Sequence, residues 1–165
     1  KIFPHAKISN LHKDLSLIRL LHWDFSGYIR EGEIVVKNDL ANEVVEIFEE
    51  FFFRRFPIEK MLLIESMYKE KALSSEDNNT NTFFSFKKSK RVCMNILINP
   101  VLNPLVDKSE VFPKAGKNFA DRKGSCRGMI RINDPVYKAF ISRGWKWAGD
   151  LQNADYGRFY KNSKG

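Results

Sequence analysis

The sequence predicts a single α+β domain, because strand-like segments occur on both sides of a strongly amphipathic helix. Residues 17–25 and 33–36 are rich in apolar residues, and Ser26-Gly27 between them is typical of a turn, so they predict a hairpin. Residues 92–98 form a largely apolar run, which is the pattern of a strand buried on both faces. A chain of 165 residues is long enough for one such domain to bury roughly 70% of its unfolded surface.

Two helices are predicted. Asn38 has the side chain of an N-cap, and apolar residues then recur at helical spacing until Arg54-Arg55 and Pro57 end the pattern. The glutamates on the opposite face follow the same period, so they are interpreted as a solvated face rather than a site. The second helix begins at Asp134-Pro135, an N-cap followed by a proline at the first helical position, and ends at Gly144.

Three further segments complete the chain. Residues 1–14 show little periodicity and are interpreted as a leading arm or a short helix, and residues 58–64 predict another strand. Residues 105–133 are interpreted as a long basic loop, and a loop of this length is more often functional than a simple connector. His22 lies among apolar residues with no second histidine at ligand spacing, which favours a core histidine over a metal ligand.

The composition favours an anionic partner. The formal net charge is +8 and the pI ≈ 9.5, values that suit wall polymers, nucleic acid or acidic lipid, although such a charge also serves solubility alone. No recognisable nucleic-acid motif accompanies the charge, which disfavours nucleic acid. No apolar run approaches the ~20 residues of a membrane span. Cys93 and Cys126 lack metal-binding spacing, and a disulfide between them would suit an exported protein.

Several blocks resemble one family of peptidases. Residues 95–104, Asn-Ile-Leu-Ile-Asn-Pro-Val-Leu-Asn-Pro, resemble the A-I-D-I-N-P-x-x-N-P segment of VanY-type D-alanyl-D-alanine carboxypeptidases and the related L-alanyl-D-glutamate endopeptidases. The blocks LHWDFSGYIREGEIVV, NEVVEIFEE, FPIEKM, DNNT and GWKWAGD are similar to segments of these proteins in the same order. The resemblance covers about residues 15–161, with 1–14 as an arm and 162–165 as a tail. It implies a central antiparallel sheet with flanking helices, as in the hedgehog-type zinc peptidase fold.

The resemblance also implies that the metal site is lost. In the family, an S-x-H-x-x-G-x-A-x-D motif and a later D-x-x-H-F segment supply the zinc ligands. Aligned on Ile98-Asn99-Pro100, the zinc Asp position holds Leu97, and the His position holds Lys90, or Arg91 with a shift of one residue. Arg158 stands at the histidine position of the later segment. A cationic side chain has no lone pair to give to zinc, so no cofactor is expected.

The same alignment names the other site residues. Asp155 stands where the family has its general base, but a base needs a metal-activated water, so it is left as a vestigial base or a partner for Arg158. Residues 84–87 are the nearest match to an F-N-Y-R segment, so Lys87 replaces a substrate-binding arginine. Candidates for substrate binding are Lys87, Lys90, Asp150, Asp155 and Arg158, with Trp145, Trp147 and Tyr156 either lining the cleft or packing in the core.

The function implied is that of a pseudopeptidase, a catalytically inactive homologue that binds a peptidoglycan stem peptide or another anionic ligand in the old active-site cleft. Such a protein is expected outside the cytoplasm, in the periplasm or cell wall, or secreted. Two alternatives stay open. An active peptidase would need displaced ligands, such as Asp150, Asp155, Cys93 or the histidines near the N-terminus. A protein-interaction module, such as an inhibitor, immunity or assembly factor, would use the basic segment 107–131 as its contact surface.

Overall fold

The computed structural model describes residues 6–63, 77–86, 92–108 and 110–162. Over these residues the chain is an α+β protein with three antiparallel sheets and two α-helices. The α+β class predicted from the sequence is therefore confirmed. No helix in this described part is both long and apolar enough to cross a membrane.

The first sheet pairs β1 (Lys7–His12), β2 (Leu15–Trp23) and β3 (Ile29–Lys37) in that order. Buried and partly exposed residues alternate along β2, because one face packs on a helix and the other is partly solvated. The predicted hairpin is confirmed, with Gly27 at φ +84° in its turn. The segment from Lys7 to His12 is a strand rather than a short helix, since its backbone pairs with β2, and a tertiary ladder of this kind outweighs a weak local pattern.

The second sheet contains β4 (Asn81–Phe86), β5 (Val92–Leu97), β8 (Lys146–Trp147) and β10 (Arg158–Asn162), in the order β4-β5-β10-β8. The strand predicted at 92–98 is confirmed as β5, which lies between β4 and β10 and is buried over almost its whole length. Met94 and Ile96 of β5 point into the hydrophobic core. Because side chains alternate along a strand, Cys93, Asn95 and Leu97 lie on the opposite face of the sheet.

The first helix, α1 (Ala41–Phe53), follows a 3-10 turn at Asn38–Leu40. Asn38 does not cap it, contrary to the prediction. Its side-chain oxygen accepts a hydrogen bond from Ser16 Oγ at 2.6 Å, and its amide donates to the Lys13 carbonyl at 2.9 Å. Both polar atoms of the Asn38 side chain are thus engaged in tertiary hydrogen bonds, which hold the start of the helix against the β1–β2 connection.

The second helix, α2 (Pro135–Ile141), begins and ends as predicted. The Asp134 carboxylate accepts a hydrogen bond from the Tyr137 N–H at 2.7 Å, and Gly144 follows the helix at φ +77°. The ring of Phe140 stacks on Phe159 of β10 with ring centroids 4.0 Å apart. This contact joins α2 to the second sheet within the core.

Residues 105–133 do not form one loop. They contain β6 (Leu105–Asp107), β7 (Glu110–Phe112) and a 3-10 helix at Lys114–Phe119. Strands of three residues are too short to give a periodic pattern, which is why the sequence did not reveal them. In the third sheet, β6 lies between β7 and β9 (Ala154–Asp155).

The strand predicted at 58–64 is also wrong over its described part, residues 58–63, and Ile64 lies outside the described residues. Isolated bridges from Pro57 to Trp23 and from Lys60 to Asn79 replace a ladder. The Asn79 amide accepts from the Leu62 N–H at 2.8 Å and donates to the Leu62 carbonyl at 2.9 Å. These are backbone groups that a strand would have used for pairing.

Candidate functional site

One row of side chains crosses the second sheet on the face opposite Met94 and Ile96. Asn81 of β4 and Arg158 of β10 are both directly opposite Leu97 of β5, so the three side chains lie side by side. We call Asn81, Leu97 and Arg158 the cross-strand row. Asn81 is 3% exposed and Leu97 6%, whereas the Arg158 side chain is 28% exposed. The row therefore runs from a buried amide to a half-buried cation.

Asp155 lies beside the Arg158 end of the row. Arg158 Nε is 2.9 Å from Asp155 Oδ2, so the expected partnership of these two residues is confirmed. The turn between them depends on Gly157, where an added Cβ would lie 2.9 Å from the carbonyl oxygens of Ile98 and Asn103. A side chain at this position would push the turn that carries Asp155 away from the end of β5.

Burial raises the pKa of Asp155 to about 6, and the positive charge of Arg158 only partly opposes this effect. The carboxylate is 7% exposed, so it has lost most of the water that stabilises its charged form. Ionising Asp155 in the folded protein therefore costs more free energy than ionising it in the unfolded chain.

Three buried polar atoms at the row, and one in β6, have no hydrogen-bond partner among the described residues. They are Asn81 Oδ1, Asp107 Oδ1, Asp155 Oδ1 and Arg158 Nε. The Arg158–Asp155 contact is therefore an ion pair whose N–H is not aligned for a hydrogen bond. Each unsatisfied buried acceptor costs about 1–3 kcal/mol, so a bound molecule that donates hydrogen bonds would recover part of this energy.

The structure brings together only some of the predicted site residues. Leu97, Asp155 and Arg158 meet, as described above. Asp150 is exposed at the end of a 3-10 turn, Ala148–Asp150, and no hydrogen bond or ion pair joins it to the row in the described part of the chain. Lys87, Lys90 and Arg91 lie outside the described residues.

The aromatic candidates belong to the core. Trp145 and Trp147 are 2% and 7% exposed. The Trp145 indole N–H donates to Glu43 Oε1 at 2.6 Å, and that of Trp147 donates to the Tyr156 carbonyl at 2.9 Å. Tyr156 is partly buried against the same cluster. Packing is therefore the role the structure gives these three residues.

The remaining metal and thiol candidates lie apart. His22 is 3% exposed in β2, and burial lowers its pKa, so the prediction of a core histidine is confirmed. Cys93 is buried while Cys126 is exposed, and they form no disulfide with each other. Within the described ranges, no three His, Cys, Asp or Glu side chains are grouped to hold a metal ion.

Asn99 and Asn103, which follow β5, hold the fold together through buried hydrogen bonds. Asn103 donates to the carbonyls of Ile98, Asn99 and Gly128, and accepts from the Ile130 N–H at 2.7 Å. Arg122 also donates to the Asn103 oxygen. We call Asn99, Asn103 and Arg122 the asparagine cluster.

Two residues with unsatisfied buried atoms were not predicted from the sequence. Asn81 of the row directly follows the DNNT block, and Asp107 lies in β6, two residues from Leu105, which pairs with Asp155. A signal for Asn81 was its place two residues before Phe83, because side chains two residues apart lie on the same face of a strand. For Asp107 the sequence held no such signal, since β6 is too short to predict.

Comparisons of the chain with protein-family models, with curated proteins and with solved structures found no match. The resemblance described from the sequence therefore stays a prediction.

Proposed function

We propose that this protein is a catalytically inactive member of the VanY-type peptidase family that binds a peptidoglycan stem peptide, or a similar anionic peptide, at the cross-strand row. This proposal includes a location outside the cytoplasm, where such peptides are found.

The observation that carries the proposal is the pairing of Leu97 with Arg158. The two residues were assigned to zinc-ligand positions from two separate sequence blocks, 61 positions apart by their numbers (158 − 97). In the fold they lie directly opposite each other on neighbouring strands, with Asp155, the position of the base, in contact with Arg158. Two blocks aligned wrongly would not be expected to place these residues side by side, so the geometry supports the alignment of the chain with the peptidase motifs.

The side chains present suit binding rather than hydrolysis. Leu97 has no donor atom, and a guanidinium repels a divalent cation and attracts an anion. The carboxylate of Asp155 is held by Arg158 at 2.9 Å, in the place where a base would need an activated water. With Leu97 and Arg158 at the predicted zinc-ligand positions, the row suits an anion better than a cation.

A peptide complements the unsatisfied atoms. Asn81 Oδ1 and Asp155 Oδ1 are buried acceptors without partners among the described residues, and peptide N–H groups are donors. The half-buried guanidinium of Arg158 provides N–H donors for a terminal carboxylate, with which arginine forms charge-assisted hydrogen bonds. Sulfate offers acceptors only, and so would leave these oxygens unsatisfied.

Calorimetry with synthetic stem peptides tests the proposal. We expect saturable 1:1 binding of a peptide with a free terminal carboxylate, and binding about tenfold weaker when the carboxylate is amidated. Arg158→Gln should remove that difference between the two peptides, whereas the exposed Lys138→Gln should preserve it. Absence of heat with every stem peptide would contradict the proposal.

Metal content separates this function from that of an active peptidase with displaced ligands. Protein purified without chelator should contain no stoichiometric zinc and should not hydrolyse the peptides it binds. One zinc per chain, lost together with peptidase activity in Asp155→Asn, would replace the proposal by the enzymatic alternative.

A further inference from the structure

A basic groove, separate from the cross-strand row, lies between the end of α1 and the segment that precedes α2. Its volume is about 290 Å³. No member of the cross-strand row lines it. Its charged lining consists of Arg54, Arg55, Arg127 and Asp134.

The three arginines of this groove are not neutralised. All three are exposed, and none forms an ion pair with a carboxylate anywhere in the described ranges. The Asp134 carboxylate is already occupied, because it accepts hydrogen bonds from the Tyr137 N–H at 2.7 Å and the Arg131 N–H at 2.8 Å. The groove is thus lined by three arginines and one carboxylate, so its lining is positively charged on balance.

Arg55 occupies a backbone position that favours glycine. It follows α1 with φ +51°, and the Phe56 N–H donates to the Phe51 carbonyl at 2.9 Å, as in a Schellman helix end. A side chain in this left-handed conformation is strained, and glycine would relieve the strain. Arginine at this position is therefore unfavourable for the helix end, although it lines the groove. Its guanidinium lies 5.0 Å from the ring centroid of Trp23, which is outside the lining.

The rest of the lining is apolar. Phe51, Pro57, Met129 and Val136 are buried residues that contribute to its walls. Its volume is near the lower end of small-molecule sites, roughly 300–1,000 Å³. A ligand that fits combines an apolar body with a compact, multiply charged head.

The geometry points to a binding site for the phosphate group of a small organic phosphomonoester. Arginine forks bind phosphate with parallel hydrogen bonds, and a phosphomonoester carries up to two charges on three oxygens, enough to engage several guanidiniums. A carboxylate has one charge and two oxygens. The site is separate from the proposed peptide site, and either would stand without the other.

Phenyl phosphate is the probe, with benzoate and inorganic phosphate for comparison. Cys126 lines the same groove and is exposed whereas Cys93 is buried, so the rate of thiol modification reports occupancy of the groove directly. We expect phenyl phosphate to bind 1:1 by calorimetry, to slow the modification of Cys126, and to bind at least about tenfold more tightly than benzoate or inorganic phosphate.

Arg55→Gly is the decisive variant, and Lys108→Gly is its matched control. Both replace one exposed cationic residue that has a left-handed backbone, at φ +51° and φ +55°, but only Arg55 lines the groove. Arg55→Gly should weaken phenyl phosphate binding at least about tenfold while the unfolding midpoint stays the same or rises. Lys108→Gly should bind as the wild type does. Arg127→Gln, at an exposed position, should weaken binding as Arg55→Gly does.

Three results would overturn the inference. If phenyl phosphate fails to bind, or if Arg55→Gly and Lys108→Gly weaken it equally, the groove has only the general attraction of a basic protein. If a single-stranded oligonucleotide binds instead, with a steep dependence on salt and equally in both variants, the charge serves a polyanion rather than a small phosphate.

Discussion

The asparagine cluster and the cross-strand row each combine a buried asparagine with an arginine, yet their hydrogen bonding differs. In the cluster, Asn103 is 0% exposed, and both its amide nitrogen and its oxygen have partners. In the row, Asn81 is 3% exposed, and its amide nitrogen donates to the Asn79 carbonyl at 2.7 Å while its oxygen has no partner in the described part of the chain.

The arginines differ in the same way. Arg122 donates to the carbonyls of Leu102 and Ile130 at 2.7 and 2.6 Å and lies 4.5 Å over the Tyr156 ring. Burial lowers the pKa of Arg122, and its carbonyl partners compensate for the lost water. Arg158 contacts one carboxylate, and its Nε–H has no aligned acceptor among the described residues.

The difference separates polar groups whose hydrogen bonds hold the fold from buried polar groups that have no partner among the described residues. A fully satisfied buried network rigidifies the structure, whereas unsatisfied groups reduce stability until something binds them.

The largest expected effect is that of Asn103→Ala on stability. The substitution leaves the Ile130 N–H and the Gly128 carbonyl without their Asn103 partners, with bond lengths of 2.7 and 2.9 Å, and removes one acceptor of Arg122. We expect a loss of about 3–5 kcal/mol in the free energy of unfolding, measured by urea denaturation. Asn153→Ala, at an exposed position, is the control and should change it by less than about 0.5 kcal/mol. A small effect of Asn103→Ala would mean that the cluster does not hold the fold.

The next effect is that of Asp155→Asn, which should stabilise the protein at neutral pH. The folded-state pKa of about 6 lies above the ordinary value of 3.8, so the folded protein holds the proton more tightly than the unfolded chain does. Stability from this group is present below about pH 4 and is lost as pH rises through about 6, by up to about 3 kcal/mol. Asparagine resembles the protonated acid, so the variant should be more stable at pH 7 and should lack this pH dependence.

Urea denaturation from about pH 4 to 7.5 measures that change, with the exposed Asp150→Asn as control. A variant less stable than the wild type at pH 7 would show that the attraction of Arg158 outweighs the burial of the carboxylate.

Long or strongly patterned elements were predictable from the sequence. The hairpin of β2 and β3, helix α1 and strand β5 have long apolar patterns, and α2 has a cap and a stop. The predictions failed where tertiary contacts decide the structure. β1 depends on its pairing with β2, and the segment 58–63 is held by the Asn79 side chain.

The site was predictable only in part. The predicted resemblance pointed to Leu97, Asp155 and Arg158, and the fold brings these three residues together. Asn81 reaches the row through the register of β4 with β5, and this register cannot be read from local sequence. Asp107 lies in the third sheet, whose strands of two or three residues give no local pattern either. The basic groove likewise joins residues 54–55 to residue 127, because the chain folds back over the end of α1.

Arg158→Gln should change the titration of Asp155 more than it changes the fold. The charge of Arg158 lowers the pKa of Asp155, so its removal should raise that pKa above about 6. Because the Arg158 side chain is 28% exposed, we expect a loss of only about 1 kcal/mol in stability at pH 7. NMR titration of the Asp155 carboxyl carbon measures the shift, and Lys138→Gln should leave it in place. An unchanged pKa would mean that the ion pair is not formed in solution.

The smallest expected effect on stability is that of Asn81→Ala, which makes the same chemical change as Asn103→Ala at an equally buried position. It removes one hydrogen bond of 2.7 Å, but it also removes an oxygen without a partner among the described residues, and these effects oppose each other. The net change should be below about 1 kcal/mol, while binding of stem peptides should weaken about tenfold. If Asn81→Ala destabilises the protein as much as Asn103→Ala does, the amide oxygen of Asn81 has a hydrogen-bond partner in solution. That oxygen would then not be an unsatisfied acceptor for a peptide N–H group.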